Sequence, residues 1–156
     1  MSKRDGSEPY LDPMHSIGYL SRINFRAFSR ALEKLTIRHG VSAGQWRFLR
    51  VLWDQDGITQ RELADRTGTT EATTVRSVNG LLESGLIKRE RVADDRRKMR
   101  VTLTARGRRL RNTLLPMVIE VNERALKGIP KRDIETTRRV LIAAFENLTA
   151  DRQERR

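Results

Sequence analysis

The chain has 156 residues, with 32 Lys and Arg against 20 Asp and Glu, a formal net charge of +12 and no cysteine. That length suits one domain or two intimately joined lobes with a sizeable core, and the charge points to a polyanionic partner. Without cysteine there are no disulfides and no thiol redox sensing, the longest apolar run (residues 140–145) is too short to cross a bilayer, and no signal-peptide core follows the first residues, so a soluble, cytoplasmic protein with no membrane partner is expected.

Residues 1–13, with Gly6, Pro9 and Pro13 among charges, read as a flexible arm. From Met14 to about His39, Ile17, Leu20, Ile23, Ala27, Phe28, Ala31, Leu32 and Leu35 recur at helical steps and predict one long amphipathic helix, with Arg22, Arg26 and Arg30 spaced by four on another face. Gly40 ends it. Ser42 and Gln45 form a capping box that opens a second helix, carrying Trp46, Leu49, Leu52 and Trp53 inward and ending near Gly57. Thr59 and Glu62 form another, so a short third helix is expected from Gln60 to about Arg66, stopped by Thr67-Gly68.

Thr69 or Thr70 then caps a fourth helix, whose inward positions read as Ala72, Val75, Val78, Leu81 and Leu82 and whose outward face reads as Thr73, Thr74, Arg76, Ser77 and Asn79. Hydroxyls and a guanidinium near a helix N-terminus suit a DNA major groove, which makes Thr69, Thr70, Thr73, Thr74, Arg76 and Ser77 candidate contacts. Alone, this face favours the reading as an ordinary solvated one, since polar helix surfaces are common. The hairpin next along the chain changes the balance. Gly85 closes the helix, and Ile87 to Val92 and Met99 to Leu103 read as two strands around a tip, residues 93–98, that holds the consecutive cations Arg96, Arg97 and Lys98. Between Lys88 and Arg111 stand eleven Lys and Arg against three Asp and Glu, a local net of +8 placed where a phosphate-binding wing needs it. The fold expected is mainly α with a small β-hairpin wing (α+β), a winged helix-turn-helix flanked by N- and C-terminal dimerisation helices.

Asp95-Arg96-Arg97, followed by Val101-x-Leu103-Thr104-x-x-Gly107, resembles the D-x-R…V-x-L-T-x-x-G wing signature of the MarR family of winged-helix transcriptional regulators. Trp46 to Leu49 and Leu81-x-x-x-Gly85-Leu86-Ile87 are similar to that family too, and the likeness is dense from about Ser42 to Leu110. It implies that a wing-tip arginine enters a minor groove, Arg97 with Arg96 as the rival, and that Asp95 braces it. Gly80 departs from the family pattern, which often has a larger residue there, and costs about 1 kcal/mol of helix propensity relative to Ala.

Thr104 caps a fifth helix from Ala105, on which Leu110, Leu114, Met117 and Val121 keep one stripe apolar, with a kink expected just before Pro116. Gly128-Ile129-Pro130 breaks the chain, and Ile134, Thr137, Leu141, Ala144 and Leu148 open a final helix with a tail that frays from Ala150. Residues 41–104 suffice for the DNA-binding domain, so residues 14–40 and 105–150 are expected to join two copies. A two-fold axis then sets two recognition helices about 34–36 Å apart on a pseudo-palindromic operator in double-stranded DNA.

Chemistry of other kinds has little to work with. His15 and His39 stand far apart in sequence, and neither a metal site, a cofactor nor a catalytic base is expected. Two functional classes remain: a ligand-responsive, sequence-specific dimeric repressor, and an architectural or RNA-associated basic protein that binds backbone without an effector. For the first, the family resemblance implies an effector crevice among the first, second and fifth helices. Its candidate walls are Tyr19, Ile23, Trp46 and Leu49, with Arg22 or Arg26 to meet the charge of a small aromatic or lipophilic anion or its coenzyme A thioester.

Overall fold

The computed structural model describes residues 11–92 and 95–153, the side chains of residues 92–98 and 151–153 excepted. Helix boundaries follow from side chains that satisfy the orphan N–H groups of each first turn. Ser16 accepts from Tyr19 N at 3.2 Å and starts α1 (Ile17–Thr36). The expected start at Met14 is thereby corrected, because Asp12 caps a separate 3-10 turn, Pro13–His15, by accepting from Met14 N at 2.9 Å. Of the arm expected over residues 1–13, the first ten lie outside the described residues. A second 3-10 turn, Ile37–His39, leads to Gly40 at φ 75°.

Both capping boxes form. Ser42 and Gln45 close theirs at 3.2 and 3.0 Å around the start of α2 (Ala43–Asp54), and Thr59 and Glu62 close the other at 3.2 and 2.7 Å around α3 (Gln60–Thr67). Gly68 ends α3 at φ 63°, and Thr70 rather than Thr69 caps α4 (Glu71–Glu83). The last helices are α5 (Ala105–Ala125), unbroken through Pro116, and α6 (Lys131–Gln153). α6 starts three residues before Ile134 because the Pro130 carbonyl accepts from both Asp133 N and Ile134 N, at 3.0 and 3.2 Å. It also continues past Ala150, where fraying was expected.

A three-stranded antiparallel sheet, in the order β1-β3-β2, joins β1 (Ile58–Thr59), β2 (Ile87–Val92) and β3 (Asp95–Leu103). β1 was not foreseen: two residues give no periodicity, and only the distant partners Val101 and Arg100 make them a strand. β3 begins at Asp95 instead of Met99, so residues 95–98 extend a strand that was expected to stop short of them. Val92 pairs with Asp95 across a register shift at Arg91 and Val92. The intervening residues 93 and 94 lie outside the described residues.

The chain divides into two compact units, the first ending at Val121 and the second beginning at Asn122. In the first, Phe48, Leu49 and Leu52 of α2 meet Leu63 of α3, Leu81 of α4 and Val101 of β3 in one buried cluster. Each such side chain contributes about 1.5–3 kcal/mol through removal from water, which fixes the helix-turn-helix against the sheet. In the second unit no described side chain of α6 is fully buried, and Leu141, Phe145 and Leu148 are 44%, 67% and 83% exposed.

Candidate nucleic-acid interface

Between α3 and α4 the chain turns on threonine hydroxyls. Thr67 Oγ1 donates to the Leu63 carbonyl at 2.7 Å and Thr74 Oγ1 to the Thr70 carbonyl at 3.0 Å, while Thr69 Oγ1 lies 2.9 Å from both hydroxyls. Thr74 is 1% exposed. It therefore cannot touch DNA, and its expected place on the outward face is a correction. The cause is helical phase: Thr74, Val78 and Leu81 point inward, so Ala72 and Val75, taken for core, are exposed. A threonine able to return its hydroxyl to the carbonyl four residues earlier tolerates burial, and apolar periodicity does not reveal it.

The outer face of α4 consists of Ala72, Thr73, Val75, Arg76 and Asn79, all exposed, with Ser77 half-buried at its margin. Thr70 is also exposed, accepting from Thr73 N at 3.3 Å and donating to Thr73 Oγ1 at 3.0 Å, whereas Thr69 is half-buried in the turn. Acidic residues are sparse here, with Glu71 in the first turn and Glu83 at the far end. Sequence reasoning missed Arg89. From β2 its Nη2 donates to Gln60 Oε1 at the start of α3 and to Asn79 Oδ1 on α4, both at 3.1 Å, so one guanidinium fastens the base of the wing to both helices.

The far side of the wing base is fixed as firmly. Asp56 Oδ1 accepts from Leu103 N at 2.8 Å and from Gly57 N at 2.9 Å, while its other oxygen meets Arg108 Nη1 at 2.8 Å. Thr104 Oγ1 donates to the Gly85 carbonyl at 2.8 Å and accepts from Gly107 N at 3.1 Å, capping α5 as expected. Trp53 Nε1 donates to the Gly107 carbonyl at 2.9 Å. Along β2, Lys88 pairs with Glu90, and its hydrogen bond holds the Glu90 carboxyl below its ordinary pKa. At the wing tip the backbone of Asp95, Arg96, Arg97 and Lys98 belongs to β3, while their side chains are outside the described part of the structure.

Of the expected effector residues, Tyr19 and Ile23 are half-buried on α1, and Arg22 and Arg26 are exposed. Arg22 stacks over the Tyr19 ring at 5.2 Å. Trp46, 7% exposed, meets Trp53 edge to face at 5.5 Å. Leu49 is completely enclosed in the core, so its expected place on a crevice wall is corrected: it can back such a wall but cannot face a ligand. Phe25 on α1, not singled out from sequence, is 54% exposed and carries Arg47 over its ring at 5.6 Å.

Two capped helices around a tight turn, the second with an exposed outer face of mixed character and an Arg-fastened β-hairpin beside it, define a winged helix-turn-helix. A family profile described as MarR family matches residues 39–98. A MarR transcriptional regulator of Methanosarcina mazei Go1 is 30% identical and superposes with a TM-score of 0.78 over 84% of this chain and 94% of that one. CouR of Rhodococcus jostii RHA1, in a structure bound to p-coumaroyl-CoA, is 26% identical with a TM-score of 0.72 over 83% and 91% of the two chains. The HTH-type transcriptional regulator TtmR of Methylorubrum extorquens is 31% identical over 88 residues, 56% of this chain and 45% of TtmR, so the match spans less than half of that relative. The chain belongs to the MarR family of transcriptional regulators.

Proposed function

We propose that the protein is a dimeric repressor that binds a pseudo-palindromic DNA operator and is released by a small aromatic or lipophilic anion, an acyl-coenzyme A thioester among the candidates. The observation that carries this reading is the outer face of α4 standing beside a wing held by Arg89 to Gln60 and Asn79. Helix and wing so joined address a major groove and the neighbouring backbone as one body. Residues 41–104 supply that surface, and residues 14–40 with 105–150 join two copies, a role supported by the uncovered apolar stripe of α6. Thr70, Thr73, Arg76 and Ser77 face the groove, Thr69 shapes the turn, and Arg96, Arg97 and Lys98 meet the backbone and minor groove, with Asp95 bracing Arg97.

For the effector, support comes from the likeness to CouR, whose structure is bound to p-coumaroyl-CoA, and from two α1 rings, Tyr19 and Phe25, over each of which a guanidinium group already lies. Tyr19, Ile23 and Trp46 form the apolar part and Arg22 or Arg26 takes the anion. A ligand of this kind acts only through its differential affinity for the DNA-competent and incompetent dimers.

The test is selection of binding sites from random duplexes by the full chain, with sedimentation at micromolar concentration. Enrichment of an inverted repeat with half-sites roughly 10 bp apart and a sedimenting dimer are expected; a monomer, or equal affinity for random duplex, overturns the reading. On the recovered operator Arg97→Ala should weaken binding on the order of tenfold and Asp95→Ala less. A damaging Arg96→Ala with a silent Arg97→Ala would exchange their roles. Aromatic carboxylates and their thioesters are then titrated against the complex, and Arg22→Ala and Arg26→Ala identify the anion contact.

A further inference from the structure

Val75 stands on the outer face of α4 with 41% of its surface exposed, and it is absent from the hydrophobic core to which Leu82 of the same helix contributes. A β-branched residue at an exposed helical position lowers helix propensity, and among the described residues Val75 belongs neither to the core cluster nor to the side chains packed on it. The residues around it are those of a groove-facing surface. Ala72, Val75, Arg76 and Asn79 are all exposed and, at helical periodicity, fall within an arc of about 100°. Arg89 reaches this face through Asn79, which helical periodicity sets between Val75 and Ala72. Arg76 and Arg89 suit phosphates and guanine edges, but Ala72 and Val75, exposed on the same face, have only methyl groups to offer.

In the major groove the apolar feature of the base edges is the 5-methyl group of thymine. Valine in a helix keeps essentially one χ1 rotamer, so its two methyl groups have a fixed direction and little side-chain entropy is lost on contact. We propose that Val75, with Ala72 one turn before it, reads a thymine 5-methyl group in each operator half-site. This rests on the operator-binding reading and adds the base that the site requires and the group on that base that is sensed.

The experiment uses the full chain and the operator recovered by selection. Each thymine of a half-site is replaced in turn by deoxyuridine, which lacks only the methyl group, and at any sensitive position cytosine is compared with 5-methylcytosine. Burial of one methyl group corresponds to about fourfold in affinity. One thymine per half-site is expected to lose about that factor on demethylation, and 5-methylcytosine is expected to bind more tightly than cytosine there. Val75→Ala should bind the thymine and deoxyuridine operators equally, while Val75→Thr, which keeps the shape and one methyl, should retain part of the discrimination. Thermal unfolding, expected to match the parent for Val75→Thr and to match or slightly exceed it for Val75→Ala because Val75 lies outside the core and Ala has the higher helix propensity, separates lost reading from lost folding. Indifference of every thymine to demethylation, or full discrimination surviving in a folded Val75→Ala, overturns the inference alone. If no sequence is enriched at all, the operator-binding reading fails and this one falls with it.

Discussion

Gly107 and Gly80 both look like weak points in helices, and their surroundings give them opposite meanings. A Cβ at Gly107 would lie 2.0 Å from the Leu86 carbonyl oxygen and 3.0 Å from its carbon, which are backbone atoms that cannot swing aside. The same glycine offers its carbonyl to Trp53 and its N–H to Thr104, so moving α5 away would break both bonds. Gly107→Ala should cost about 3 kcal/mol and lower the unfolding midpoint on the order of 10 °C in a thermal melt. At Gly80 the added atom would meet Gln45 Nε2 at 2.8 Å, the end of a flexible side chain. There Ala gains about 1 kcal/mol of helix propensity but presses on the Gln45 amide that closes the α2 capping box, so the two offset and the same melt should show little change. Thr74→Val keeps the buried shape and removes the hydroxyl, so it should cost about 1–2 kcal/mol while leaving base preference in a selection experiment unchanged. A relaxed preference would return Thr74 to the groove.

Capped helices were legible in the sequence because a capping box is complete within four residues: Ser42 with Gln45 and Thr59 with Glu62 carry all the chemistry needed to start α2 and α3. What escaped depends on partners far along the chain. β1 exists only because Val101 and Arg100 come to it, and Arg89 acquires a role only when α3 and α4 stand beside β2. The phase of α4 was misjudged because Val75 looks apolar in a window and Thr74 does not, although the fold buries the second. Two predictions belong to these elements. Arg89→Lys keeps the charge but cannot reproduce the fork, so it should weaken operator binding more than random-duplex binding with an unchanged salt slope. Combined with Asn79→Ala it should give a non-additive loss, with a coupling of about 0.5–1 kcal/mol; strict additivity would make Arg89 a simple phosphate contact. The other concerns acid. Hydrogen bonds from the Thr59 hydroxyl and N–H hold the Glu62 carboxyl below its usual 4.5. The folded state thus gains from Glu62 above pH 4.5, and that gain is lost as the pH falls through the lowered folded value. Glu62→Gln, which keeps an acceptor but does not titrate, should show a shallower fall in melting temperature between about pH 6 and about pH 3. An equal fall would mean that the box contributes nothing through its charge.

At the scale of the whole molecule, each of the two units has a surface feature of its own. The winged lobe holds the cluster of arginines, and the second unit displays Leu141, Phe145 and Leu148 at helical spacing on α6. Changing Leu141 and Phe145 to Glu together should yield a monomer by sedimentation, with an intact melt of the winged lobe and a marked loss of operator affinity; a persistent dimer would place the subunit contact elsewhere. Sheet order has a further consequence. With β3 in the middle, one edge of the sheet is the two-residue β1 and the other is β2, six residues long. An edge strand of that length is a template on which a foreign chain can add itself, and β2 carries Lys88, Arg89 and Arg91, all exposed. The cations that would draw the wing toward DNA under the proposed function also repel a second wing, and a wing neutralised to defeat DNA binding should be a protein that precipitates.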